Sequence, residues 1–388
     1  MDSKNIFHTE RDHYKWSKQK EYTCSQENID EATRKKAVLA LEFLEQEFGK
    51  HFLKTHSINH PVRQKISNTA SWQIEELIEF TDTLQQLKLS DSNYAKLLKK
   101  LMGMKSAVEE GIPFVEVAKM CHKQGLDIFF IAEEKIGSVK TPDIKVINKE
   151  NGETFYIEIS TLNDSDDRKN INKNYNFFYK EFNYGKPVLP FFGCQKTTIG
   201  VAKEEEEKEY AEISKIITDA RRRVIENGQI IYYSDKRFCF LFAPDDSENF
   251  NEICIQNGIN AFNIESLAVD FDDTSRINNK IGKSKQIPSG INGLLYVYVS
   301  PLFFQTADLV ASIERIEANM AKYTNLLGIV LCSKIVDQRE QVAHQMGHHL
   351  FARRTIRNLS CESLLIYNGS CDVRLSEDTI AKIYKSLA

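Results

Sequence analysis

The stretch TPDIKVINKENGETFYIEIST, residues 141–161, is the part of the sequence that decides the fold. Asn151-Gly152 is a strong signal for a tight β-hairpin, because the two central positions of a type I′ turn both need a positive φ. Alternation of side chains along the two strands predicts one mostly apolar face. The opposite face then gathers Asp143, Lys145, Glu158 and Ser160.

The length of the turn decides which residues of the hairpin face each other. A two-residue turn pairs Lys145 with Glu158 and Asp143 with Ser160, whereas a four-residue turn shifts these partners and keeps the same faces. Neighbouring carboxylates repel, so a face that collects them needs a compensating cation from the protein or a metal ion. The alternative is an ordinary solvent-exposed face with a weak cross-strand ion pair.

Composition predicts a soluble globular protein. The chain has 388 residues, of which 41% are hydrophobic and 27% charged. Its net charge of -4 confines any nucleic-acid surface to a local patch. The eight cysteines form no Cys-x-x-Cys pair, and no apolar run reaches about 18 residues. We therefore expect a cytoplasmic protein with reduced thiols and no membrane segment.

The first part of the chain predicts helices and the next part predicts strands. Residues 1–105 repeat apolar positions at three- and four-residue spacings, which is typical of a packing or dimerisation bundle. GIPFVEVAKMCHKQG, residues 111–125, predicts a helix with Glu116 off its apolar stripe. LDIFFIAEE, which follows, predicts the first strand.

Asp143 after Pro142, and Glu158 in YIEIS one hairpin later, resemble the active-site strands of the PD-(D/E)xK nuclease superfamily. The order of elements is also similar: a helix bearing a glutamate, three antiparallel strands, a helix at TSRINNKIGKSKQIP, then further strands and a helix. The resemblance implies an α+β or α/β fold with a restriction-endonuclease-like core, a central mixed sheet flanked by helices. The expected domains are a helical region at 1–108 and a core at 109–388, with an insertion at about 163–262.

The resemblance implies a metal-dependent nuclease that hydrolyses phosphodiester bonds in DNA, in restriction or antiviral defence. Asp143, Glu158 and the carbonyl of Ile159 would hold Mg²⁺ or Mn²⁺, and Glu116 would join them directly or through water. Ser160 stands where the family has its lysine, and a hydroxyl cannot replace that charge. We expect Lys145 to stand in. The alternative is an inactive nuclease-fold subunit that binds nucleic acid or assembles with other proteins.

Two groups of residues are expected to contact DNA, with RNA as the alternative partner and a homodimer or protein partner left open. Lys283, Lys285 and Gln286 lie on the predicted helix that borders the phosphate backbone in such folds. Lys169 and Lys173 are interleaved with aromatic residues, which suits a distorted or single strand, or else packing of an aromatic loop. His344 and His348 have the helical spacing of zinc proteases, but Gln345 replaces the catalytic glutamate.

Overall fold

The computed structural model describes residues 14–104, 107–131, 135–136, 139–183, 189–197, 199, 203–259, 264–265, 273–288, 290–305, 308–372 and 374–387. They form a mixed α+β protein. The chain divides into two compact units, one made of residues 1–162 with 273–388 and the other of residues 163–272. The predicted insertion covers most of the second unit, and the predicted boundary at residue 108 lies inside the first.

Helices fill the start of the first unit, as the periodicity of its sequence predicts. Within the described residues they are α1 (Trp16–Cys24), α2 (Glu31–Phe48), α3 (Phe52–Thr55), α4 (Pro61–Ser67), α5 (Ser71–Ser90), α6 (Tyr94–Met102), a π-helix (Ala107–Gly111) and α7 (Ile112–His122). The side chain of Asp30 caps α2 by accepting a hydrogen bond from the Thr33 N–H. Leu77 of α5 belongs to the same hydrophobic cluster as the sheet residues Ile144 and Ile157. The helical region and the sheet therefore share a core.

The strands of the opening stretch follow α7. They are β1 (Leu126–Phe130), the short pair β2 (Lys135–Ile136) and β3 (Val139–Lys140), and the hairpin β4 (Ile144–Asn148) and β5 (Thr154–Thr161). β1 and β5 both pair with β4 in antiparallel fashion. The apolar residues of the hairpin, Ile144 and Ile157 among them, enter the core on one side. The predicted hairpin and its two faces are confirmed.

The predicted two-residue turn is wrong, and the four-residue alternative is correct. Ile144 pairs with Ile157, and the Asn148 N–H donates to the Glu153 carbonyl at 2.9 Å. The Asn148 side chain accepts a hydrogen bond from the Lys382 ammonium at 2.9 Å. The Glu153 carboxylate accepts one from the Ser376 N–H at 2.8 Å. These contacts with Ser376 and Lys382 hold Asn148 and Glu153, the two residues that close the turn.

The second unit is a small α+β layer built on aromatic residues. Its described elements are α8 (Asp166–Asn183), β6 (Phe191–Gln195), α9 (Lys203–Asn227), β7 (Ile231–Ser234), β8 (Phe238–Phe242), α10 (Phe250–Gln256) and β9 (Ile264–Glu265). The sheet has the order β7-β8-β6-β9. The segment expected as an aromatic loop is helix α8, and its Phe178 and Phe182 are buried against β8 residues such as Phe240.

The first unit then resumes and completes its sheet. Its remaining described elements are α11 (Thr274–Ile281), a 3-10 helix (Gly282–Gln286), β10 (Gly293–Tyr298), a 3-10 helix (Pro301–Gln305), α12 (Leu309–Met320), β11 (Leu326–Val336), β12 (Val342–Met346), β13 (His349–Ile356), β14 (Leu359–Tyr367) and α13 (Glu377–Leu387). The helices and strands predicted from residue 274 onward are confirmed. His344 and His348 do not lie on one helical face, because His344 lies in β12 and His348 in the turn after it.

The large sheet has eight strands in the order β1-β4-β5-β10-β11-β14-β13-β12. β10 runs parallel to both β5 and β11, and the other pairs are antiparallel. One face of the sheet packs on α7 and the N-terminal helices, and the other packs on α11 and α12. None of the helices in the described ranges is both long and apolar enough to cross a membrane.

Candidate functional site

The carboxyl groups of Asp143 and Glu158 come together at the start of β4. Ile144 pairs with Ile157, so one further step of the same register sets Asp143 opposite Glu158. The Ile159 N–H donates a hydrogen bond of 2.8 Å to Asp143 Oδ2. Each of the two carboxyl groups also affects the pKa of the other. The corrected register thus brings this pair closer than the predicted one would have done.

Burial makes this pair of acids unusual. The Glu158 side chain is 3% exposed, and burial together with the Asp143 carboxylate raises its pKa to about 9. Burial also raises the pKa of Asp143. Glu158 Oε2 is buried and has no hydrogen-bond partner among the described residues. Burial and the neighbouring Asp143 carboxylate thus both favour the protonated form of Glu158, and a bound cation would favour the ionised form instead.

The backbone of β5 adds a third oxygen next to the carboxyl groups of Asp143 and Glu158. The N–H groups of Tyr156 and Leu162 donate toward β10, at 3.0 and 2.8 Å. Successive residues of a strand direct their backbone N–H and C=O groups to alternate sides. The odd-numbered residues between Tyr156 and Leu162 therefore direct these groups toward β4. The Ile159 N–H faces Asp143 there, so the Ile159 carbonyl lies on the same edge. Two carboxylates and a carbonyl are hard oxygen ligands of the kind that Mg²⁺ and Mn²⁺ take in proteins.

The nearest lysine to the pair differs from the predicted one. Lys283 Nζ lies 3.9 Å from Glu158 Oε1. The predicted pairing of Lys145 with Glu158 is wrong, because Lys145 faces Tyr156 in the four-residue-turn register. Lys145 stays on the same face of the hairpin, two residue pairs away from Asp143 and Glu158. A further cation, Lys100, acts on Asp143 and lowers its pKa against the effect of burial.

Sequence reasoning placed Lys283 beside a phosphate backbone and missed its contact with Glu158. Lys283 stands on the 3-10 helix just before β10, the strand that pairs with β5. Its position shortly before β10 in the sequence was the signal from which the contact with Glu158 could have been predicted. Lys285 of the same short helix is exposed, and Gln286 is half-buried; both keep their predicted role as expectations.

Ser160 lies on the same face as Glu158 and is 2% exposed. Its Oγ has no hydrogen-bond partner among the described residues, and the same holds for Oγ of Ser284 on the neighbouring 3-10 helix. Buried hydroxyls without a partner are uncommon, since each costs free energy. The space beside Glu158 therefore offers several polar atoms that a bound group or water would satisfy.

Glu116 belongs to a different cluster. It is 7% exposed, and its carboxylate lies 3.0 Å from Lys334, 3.1 Å from Lys119 and 3.5 Å from Lys65. Burial alone would raise its pKa, yet these three lysines hold the pKa of Glu116 well below its usual range. α7 packs on the face that Ile159 enters, whereas the side chain of Glu158 leaves from the other face. The structure thus does not bring Glu116 to the pair.

The two basic residues predicted in the insertion lie in the second unit and are ion-paired there. Lys169 lies 3.0 Å from Asp166, and Lys173 lies 2.5 Å from Glu206. Lys173 also lies over the ring of Tyr210, with 5.6 Å between Nζ and the ring centroid. Their predicted contact with nucleic acid stays a prediction.

A second group that could hold a metal consists of Glu317, His348 and His349. His348 Nε2 lies 2.7 Å and His349 Nε2 3.6 Å from the Glu317 carboxylate. The Tyr367 N–H donates to His349 Nδ1, so a neutral His349 carries its proton on Nε2. A metal would have to bind His349 at Nε2. A proton on Nε2 favours a hydrogen bond to Glu317 instead.

Comparisons with protein-family models, with curated proteins and with solved structures found no match for this chain. The fold and the site define a class on their own. The chain is a mixed α+β protein whose large sheet holds a buried carboxylate pair with a lysine beside it.

Proposed function

We propose that the chain is a metal-dependent nuclease of the PD-(D/E)xK type, which hydrolyses phosphodiester bonds in DNA. The observation that carries the proposal is the convergence of Asp143 and Glu158 beside Lys283, in a protein where burying two carboxyl groups together is costly. In the buried ion pairs of Glu76 and Glu116 no buried carboxylate oxygen lacks a hydrogen-bond partner, whereas Glu158 Oε2 has none among the described residues.

The topology supports the same proposal. β1, β4 and β5 are antiparallel neighbours, helix α11 follows in the same unit, and β10 returns parallel to β5. This is the order of elements that the resemblance implies for a restriction-endonuclease-like core. The second unit enters between β5 and α11, where the insertion was expected.

The residues at the site fit a hard divalent cation. Asp143, Glu158 and the Ile159 carbonyl would hold Mg²⁺ or Mn²⁺, with Glu158 Oε2 supplying the buried oxygen that has no partner. When bound, such an ion lowers the pKa of its water and neutralises charge on the phosphate.

Lys283 is the cation that lies beside Glu158 in the described part of the chain. Its ammonium takes over the part that the family gives to the lysine two residues after the glutamate, by orienting water and stabilising negative charge on phosphate. Ser160 leaves room for this substitution, because a serine is too short to compete for the same space. All eight cysteines are free thiols, which suits the reducing cytoplasm as the compartment.

The experiment is a cleavage assay on single- and double-stranded DNA with Mg²⁺, with Mn²⁺ and with EDTA. We expect cleavage with either ion and none with EDTA. Asp143→Asn should abolish it, because a hard cation loses most of its site with one charged ligand. Asp127→Asn is the matched control, because Asp127 lies on the outer strand β1 and its carboxylate pairs with Lys149. Thermal melting should confirm that both variants fold.

The opposite result would favour the second candidate, an inactive subunit that binds nucleic acid or assembles with other proteins. Ser160 in place of the family's lysine is the feature that favours it. Absence of cleavage on DNA and RNA with both ions, together with unchanged melting on addition of Mn²⁺, would decide for that candidate.

A further inference from the structure

A crevice of about 870 Å³ opens at the carboxyl ends of the parallel strands of the large sheet. Thr161 ends β5, Tyr298 ends β10, and Lys334 lies near the end of β11. Helices α4 and α5 cover the crevice and contribute Lys65 and Trp72. In sheets with parallel strands, ligands bind preferentially in crevices outside these ends.

Polar atoms without partners line this crevice. Gln73 is 5% exposed, and its Nε2 has no hydrogen-bond partner among the described residues. Thr161 Oγ1 and Ser67 Oγ also have no hydrogen-bond partner among the described residues. Gln73, Thr161 and Ser67 all line the crevice. A buried amide N–H that is left unpaired costs free energy. These donors are therefore placed to meet acceptor atoms of a bound molecule.

The charges below the crevice favour an anion. Lys65 and Lys334 each pair with both Glu76 and Glu116. Of the charged side chains in this network, Lys65, Lys334 and Glu116 line the crevice, and together they carry a net charge of +1.

The walls of the crevice favour a flat ring. The indole of Trp72 is half-buried, and apolar side chains stand with it: Ile58, Pro61, Val108, Ile112, Pro113 and Val299. An exposed indole face stacks well on a heteroaromatic ring. Apolar walls with a few polar atoms at one end are typical of small-molecule sites.

We infer that this crevice binds a mononucleotide, with its base against Trp72 and its phosphate toward Lys65 and Lys334. The site is separate from the carboxylate pair, because Thr161 and Glu158 lie an odd number of residues apart on β5 and leave from opposite faces of the sheet. The inference does not rest on the proposed nuclease function.

The chain offers a direct readout, since it contains two tryptophans. Trp16 is 3% exposed in the helical core, so a ligand in the crevice should quench Trp72 alone. The probe is AMP, titrated in EDTA with the full chain so that metal chemistry plays no part. We expect saturable quenching that survives in Trp16→Phe. Trp72→Phe should lose the quenching but keep an AMP-dependent rise in melting temperature.

Variants and fragments of the probe test each part of the inference. Gln73→Ala should weaken AMP binding about tenfold, whereas Gln85→Ala, at an exposed position of α5, should leave it unchanged. Adenosine and inorganic phosphate should each bind at least about tenfold more weakly than AMP. Binding of adenosine as tight as that of AMP would overturn the inference, and so would absence of any saturable quenching or melting shift up to about 1 mM AMP.

Discussion

At the scale of single residues, the contact between Glu158 and Lys283 joins parts of the sequence that lie on either side of the second unit. Lys283 is 41% exposed at its side chain, whereas the glutamate it meets is buried. A cation with one end in solvent can turn toward a phosphate without losing its hydration entirely. For the neighbouring Lys285, which is exposed, no such contact is seen among the described residues.

We expect Lys283→Ala to reduce cleavage about 10²–10⁴-fold while DNA binding changes little. Lys283→Arg should restore little activity, because a guanidinium does not release a proton at neutral pH. Rates under single-turnover conditions and DNA affinity by fluorescence anisotropy measure the two effects. Lys149→Ala is the matched control, because Lys149 is exposed and pairs with Asp127, and it should keep full activity. Loss of activity in Lys145→Ala but not in Lys283→Ala would return the role to Lys145.

Much of the candidate site could be predicted from the sequence. Alternation along two strands was enough to put Asp143 and Glu158 on one face, since a turn of two or of four residues keeps the same faces and only an odd-numbered turn would separate them. The exact partners could not be predicted, because contacts of Asn148 and Glu153 with α13 select the longer turn. The position of Glu116 was also beyond prediction, because the three lysines around it come from three separate elements.

At the scale of elements, α5 is fastened to α7 and β13 through one carboxylate. Glu79 of α5 lies 3.1 Å from Lys119 and 2.9 Å from Lys123, both on or just after α7, and 3.4 Å from Arg354 of β13. Burial would raise the pKa of Glu79, but these three cations lower it to about 2. The contribution to stability is present above the usual pKa of 4.5 and is lost as the pH falls toward 2.

Glu79→Gln should therefore lower the free energy of unfolding by roughly 1–3 kcal/mol at pH 7, after allowance for partial exposure. The difference from wild type should shrink between pH 4.5 and pH 2, where both chains carry a neutral side chain. Urea unfolding at a series of pH values measures it. Glu42→Gln, at an exposed position of α2, should show no such trend. A constant difference across this range would mean that packing, not charge, is lost.

At the scale of the whole molecule, the first unit has a core that the N-terminal helices and the sheet build together. Phe80, Leu84 and Leu97 from the helices belong to one hydrophobic cluster with Ile144 and Ile159 from the sheet. Many of these helices and strands could be read from periodicity, whereas β12, β13 and α13 were not predicted. Their shared core could not, because a hydrophobic stripe does not specify its partner.

A fragment of residues 109–388 tests the predicted boundary at residue 108. It would expose the apolar side of α7 and the sheet, and it would leave Glu116 and Lys334 without Lys65 and Glu76. We expect the fragment to aggregate or to melt without a cooperative transition. The full chain measured beside it is the control. A soluble fragment with a cooperative transition would establish the helical region as a separable domain.

The hydrogen bonds between the β4-β5 turn and α13 have a consequence for biosynthesis. Glu153 and its partner Thr379 are 226 residues apart in the chain. A ribosome adds about 5–20 residues per second, so ten seconds or more pass between the synthesis of the hairpin and that of the helix that clamps it. During this interval the hairpin lacks the contacts of Asn148 and Glu153 that accompany its four-residue turn. We therefore expect Asp143 and Glu158 to reach their final positions only after α13 has been synthesised.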